Sequence, residues 1–174
     1  MCRKVVLSAL LAMGLVGLLP SSGAFAQSET VMKNFPPIVS LWKRGKKVCS
    51  SRELAACVDV TLDVMKRISV LQGHTKGAGE KVLLIGTRAL MAAGINEARA
   101  VVSYQETGAD TACILLGNAL THLANASDSF SLLPLRDWRP KVKGAVTQMK
   151  RQANSDRKRL ARYVGRICPS DRVF

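Results

Sequence analysis

Apolar residues recur at helical spacing over four stretches of the chain, whereas the alternating apolar and polar runs that mark strands are scarce. The four stretches are residues 50–72, 80–105, 111–126 and 140–167. Glycine- or proline-containing segments separate them. We therefore predict an all-α protein, a four-helix up-down bundle. A full turn at Gly94-Ile95-Asn96 would add a fifth helix.

Two of these stretches have features that define their ends or their continuity. Ser50 and Glu53 form an S-x-x-E capping box, in which the hydroxyl and the carboxylate satisfy free amides at a helix start. From Pro140 to Ile167 the apolar residues stay within about 40° of one line at 100° per residue, which predicts one helix. Asp156 falls on this apolar stripe, so it either pairs with a base or marks a kink.

The N-terminal segment has the pattern of an export signal. Arg3 and Lys4 precede an apolar run, and Ala24-Phe25-Ala26 has the small-x-small cleavage pattern. We predict a signal peptide over residues 1–26 and a periplasmic or secreted mature chain. Residues 27–48, with Pro36-Pro37, are interpreted as an extended basic lead-in, and residues 49–174 as a single helical domain.

Export leaves four cysteines in a compartment where thiols oxidise, so we predict two disulfides. In the four-helix arrangement all four cysteines lie at one end of the bundle, and the favoured pairs are Cys49 with Cys168 and Cys57 with Cys113. A helical separation of eight residues, about 12 Å, disfavours a Cys49–Cys57 bond. If Gly94-Ile95-Asn96 is a full turn, the pairs become Cys49 with Cys57 and Cys113 with Cys168.

Positive charge is concentrated at the two ends of the mature chain. The net charge of +14 falls to +12 when the two bases Arg3 and Lys4 are removed. Residues 27–48 contain five bases and one acid, residues 49–135 seven and eight, and residues 136–174 twelve and three. Local charge of this kind attracts anionic partners. The predicted basic surface consists of Lys43, Arg44, Lys46, Lys47, Lys143, Lys150, Arg151, Arg157, Lys158, Arg159, Arg162 and Arg166.

Signals for catalysis, metals and cofactors are weak. His122, Asn125 and Asp128 lie near one another along a helix end, but nothing in the sequence gives them the geometry of a triad. Gly77-Ala78-Gly79-Glu80-Lys81 lacks the Ser or Thr and the preceding strand of a phosphate loop. No CxxC pair is present for zinc or redox chemistry. We expect no cofactor, no metal and no catalytic residue.

These observations favour an exported, non-catalytic binding protein. Its expected partner is an acidic protein or an anionic envelope polymer, bound through the basic N-terminal segment and the C-terminal helix. Nucleic acid is disfavoured as a partner for two reasons. The chain is expected to be exported, and the C-terminal helix has few aromatic residues that could stack on bases, Tyr163 being the exception. Two alternatives remain open: a small envelope hydrolase with a site near His122, and a cationic toxin that acts on a membrane surface.

Overall fold

The computed structural model describes residues 29–50 and 54–168, and this part of the chain is helical without strands. Five α-helices form a bundle, with one short 3-10 helix between the last two. The helices are α1 (Glu29–Ser50), α2 (Leu54–Gly73), α3 (Ala78–Thr107), α4 (Ala109–Ser131) and α5 (Pro140–Ile167), and the 3-10 helix is Leu135–Asp137. The predicted all-α class is confirmed. The proposed signal peptide, residues 1–26, lies outside the described residues.

Consecutive helices pack against each other, and α5 also contacts α1 and α3. The contact between α3 and α4 is the most extensive of these. Gly86 of α3 shows how close the two helices are, because a Cβ added there would lie 2.9 Å from Cβ of Ser129 in α4. Gly108 is the single residue between α3 and α4, and its φ of 87° with ψ of −167° is a conformation adopted almost only by glycine.

Helix α1 occupies the segment that the sequence predicted as an extended lead-in, so this prediction is wrong. Pro36 and Pro37 lie inside the helix, where each removes a backbone hydrogen bond. The compensation is burial: Val31, Phe35 and Trp42 on one side of α1 are at most 7% exposed and belong to the common core. Packing of this apolar side against the bundle outweighs the local cost of the prolines.

Helices α3 and α5 both continue through the positions where the sequence raised the question of a break. Helix α3 passes through Gly94-Ile95-Asn96 without a turn, so the fifth helix of the bundle is α1 and not a product of a break in α3. Helix α5 spans Pro140 to Ile167 as predicted, including Asn154-Ser155-Asp156. Its buried residues are Val142, Val146, Met149, Ala153, Leu160 and Val164.

A disulfide joins Cys113, near the start of α4, to Cys168, just after the end of α5, with a Cα–Cα distance of 5.7 Å. This bond shows that both favoured pairings, Cys49 with Cys168 and Cys57 with Cys113, are wrong. Helices α4 and α5 are antiparallel neighbours, so the start of one lies beside the end of the other. Cys57 is also disulfide-bonded. The side chain of Cys49 lies outside the described residues.

Candidate functional site

The outer side of α5 has a high density of positive charge. Nine Lys or Arg residues and one acid, Asp156, lie between Pro140 and Ile167. All nine are exposed except Lys150, which is half-buried. Within the described part of the chain, Arg159 is the one base of α5 that takes part in an ion pair. No ion pair is formed there by the other predicted cations of α5, which are Lys143, Lys150, Arg151, Arg157, Lys158, Arg162 and Arg166.

The basic residues of α1 lie near the same end of the bundle as the second half of α5. Lys43, Arg44 and Lys47 are exposed, and the side chain of Lys46 lies outside the described residues. Leu41 and Trp42, beside these bases, line the same cleft as Asp156 and Arg159 of α5. The two basic segments, far apart in sequence, therefore flank one region of the surface.

That region contains a cleft of about 810 Å³, which all five helices line. Its walls are largely apolar, with contributions from Trp42, Val64, Leu90, Met91 and Leu123. The cleft forms where the buried stripe of α5 is interrupted: between Ala153 and Leu160 the inward position is taken by the polar Asp156. No pattern in the sequence predicted this cleft.

Four polar residues meet on the wall of the cleft. Arg159 binds Glu97 of α3 with two contacts, Nη1 to Oε1 at 2.8 Å and Nη2 to Oε2 at 2.9 Å. Its Nε lies 3.7 Å from Oδ1 of Asp156, while Oδ2 of Asp156 accepts a hydrogen bond from Nε2 of Gln152. Asp156 thus lies close to a base, Arg159, in a helix that continues past it. For an acid on the apolar stripe the sequence left two possibilities, a basic partner or a kink, and the structure shows the basic partner.

The contacts of Arg159 determine which charges the cleft can offer a ligand. The hydrogen bond to Glu97 and the charges of both carboxylates raise the pKa of Arg159 above its ordinary value, although partial burial opposes this. The guanidinium remains protonated and is already neutralised by Glu97. Together Glu97, Asp156 and Arg159 carry two negative charges and one positive charge, which leaves an excess of hydrogen-bond acceptors.

The sequence placed Arg159 on the predicted basic surface, whereas in the structure its guanidinium pairs with Glu97 of α3. These residues are 62 positions apart, so no local pattern could show that they meet. One sequence signal did point to this region: an acid, Asp156, on the apolar stripe of an otherwise regular helix.

The structure shows no catalytic arrangement of His122, Asn125 and Asp128 among the described side chains. His122 is half-buried, whereas Asn125 and Asp128 are exposed, and no hydrogen bond among the described side chains joins them. Gly77 precedes the first turn of α3 without a side-chain cap, and Lys81 is exposed.

Among the described residues, no group of three or more His, Cys, Asp or Glu side chains could hold a metal ion. None of the described helices is long and apolar enough to cross a membrane.

Comparison of the chain with protein-family models, curated proteins and solved structures finds no match.

Proposed function

We propose that the protein is exported after removal of residues 1–26 and acts as a non-catalytic binding protein for an anionic partner. The partner is an acidic protein or an anionic polymer of the cell envelope, in either case a ligand that presents closely spaced carboxylates or phosphates. The observation that carries this proposal is the outer side of α5, where eight of nine bases have no acidic partner among the described residues.

The packing of α5 supports binding in preference to membrane disruption. A cationic helix that inserts into lipid uses its apolar side. In this bundle that side of α5 is in the core, where Val146 and Met149 have no exposed surface, and Cys168 is tied to Cys113. An anionic partner would therefore meet the basic side while the helix stays in place.

The test compares two variants with the same net charge. The first replaces four bases of α5 by glutamine: Arg157→Gln, Lys158→Gln, Arg162→Gln and Arg166→Gln. The matched control replaces four exposed bases of α2, α3 and the loop between them: Lys66→Gln, Lys76→Gln, Lys81→Gln and Arg88→Gln. Arg159 is left unchanged in both, because its pairing with Glu97 belongs to the cleft.

Binding to poly-glutamate and to an anionic polysaccharide is measured at low and high salt. We expect the α5 variant to bind about tenfold or more weakly at low salt, because each lost base removes a short-range attraction, whereas the control stays close to the unchanged protein. High salt should weaken polymer binding by the unchanged protein as well. Equal affinities of the two variants would contradict the proposal, as would leakage of anionic vesicles without binding to either polymer.

A further inference from the structure

We propose that the cleft is a second binding site, for a small amphipathic molecule that has an apolar body and a positively charged amine head. The site is distinct from the basic outer side of α5 and does not depend on the function proposed for it. The inference rests on the size of the cleft, its apolar walls and the charge of its polar cluster.

The size of the cleft fits a small ligand. Ligand pockets commonly enclose about 300–1,000 Å³ and are lined mainly by apolar side chains with a few convergent polar groups. The cleft measures about 810 Å³. Small residues such as Gly94 and Ala98 keep part of its wall open, and a Cβ added at Gly94 would meet no atom within 4 Å. Space of this kind accommodates an alkyl or aromatic body.

The charges of the polar cluster determine the head group. An anionic head would need Arg159, but both terminal nitrogens of that guanidinium already bind Glu97. Asp156 is the weaker partner of Arg159, since its Oδ1 is 3.7 Å from Nε, beyond hydrogen-bond distance. An ammonium group beside Asp156 would donate to this oxygen and offset the net negative charge of the cluster.

The specificity predicted for the cleft opposes the overall charge of the protein. With a net charge of +14, the chain as a whole attracts anions and repels cations. Adsorption of an amphiphile on the basic surface would therefore favour a carboxylate head over an ammonium head. A preference for the ammonium head can arise only from a local acidic site, so this preference separates binding in the cleft from adsorption outside it.

The experiment titrates the full chain with three ten-carbon probes, n-decylammonium, decanol and decanoate, by calorimetry below their aggregation concentrations. We expect decylammonium to bind about tenfold or more tightly than decanoate, with decanol between them. Asp156→Asn keeps the shape of the side chain but removes its charge, so it should weaken decylammonium about tenfold and leave decanol unchanged. The matched control is Asp128→Asn, an exposed acid at the end of α4.

A second variant tests the apolar part of the site. Gly94→Phe places a ring in the cleft and should abolish binding of both decylammonium and decanol. Gly144→Phe adds the same ring to an exposed position of α5 with open space around it, and should leave both affinities unchanged. Absence of decylammonium binding or a preference for decanoate would overturn the proposal. Undiminished decylammonium binding by Asp156→Asn or by Gly94→Phe would overturn it as well. These results are independent of polymer binding by α5.

Discussion

Gly86 provides a direct test of how closely α3 and α4 approach. A Cβ added at this position would lie 2.9 Å from Cε1 of Phe130 and 2.9 Å from Cβ of Ser129, well inside the normal contact distance of carbon atoms. Phe130 is 1% exposed, so its ring has no free space into which to move. Gly86→Ala must therefore push α3 and α4 apart or distort the core between them.

Two effects of opposite sign determine the stability of the Gly86→Ala variant. Overpacking of a close-packed core costs about 1–3 kcal/mol, while replacing glycine by alanine inside a helix gains about 1 kcal/mol. Gly94→Ala is the matched control in the same helix, because its added Cβ meets nothing within 4 Å and only the favourable effect remains. The two variants should differ in free energy of unfolding by about 1–3 kcal/mol, with Gly86→Ala the less stable.

The measurement is urea denaturation of both variants and the unchanged protein, followed by far-ultraviolet circular dichroism. Gly94→Ala should unfold at a slightly higher urea concentration than the unchanged protein, and Gly86→Ala at a lower one than Gly94→Ala, with similar slopes. If Gly86→Ala is as stable as Gly94→Ala, then α3 and α4 do not pack at the distance that these contacts require.

Three further predictions concern the disulfides and the connection between α3 and α4. Replacing both Cys113 and Cys168 by serine should lower the free energy of unfolding by about 4 kcal/mol in the chain-entropy model for a loop of 55 residues, measured by denaturation. Non-reducing peptide mapping should recover Cys57 joined to Cys49, and recovery of Cys57 with any other cysteine would contradict this. Gly108→Ala should lower the free energy of unfolding by about 1–3 kcal/mol, because a φ of 87° is unfavourable for a residue with a side chain. The loss is measured as a lower Tm, and a Tm equal to that of Gly94→Ala would contradict this strain.

Helices with a continuous apolar stripe were predictable because one local pattern defines them. Helix α5 has the bounds predicted from its stripe, and α3 includes the whole of the predicted 80–105 stretch. Helix α4 continues to Ser131, five residues beyond the predicted end at Ala126, and buries Phe130. The longer ends are explained by tertiary contacts, which extend a helix where an apolar residue one turn further can still reach the core.

Helix α1 shows where a local rule misled the prediction. Two consecutive prolines normally end a helix, since each lacks a donor and crowds the preceding turn. The apolar residues Phe35, Ile38 and Trp42 follow a helical spacing across the prolines, but the extended segment was predicted from the prolines alone. All three are buried in the structure, so the helical pattern was the better guide because the energy of burial exceeds the local cost.

The disulfides show what helix parity can decide and what it cannot. Counting helix directions placed the four cysteines at one end of the bundle, but several pairings are compatible with that placement. The packing of neighbouring helices decides among these pairings. Helices α4 and α5 are consecutive and packed together, so Cys113 lies beside Cys168 on the same side of the bundle. The distance argument against a Cys49–Cys57 bond assumed one continuous helix, whereas Cys49 belongs to α1 and Cys57 to α2. The rise per residue therefore does not set their separation, and the packing of α1 against α2 makes Cys49 the partner we expect for Cys57.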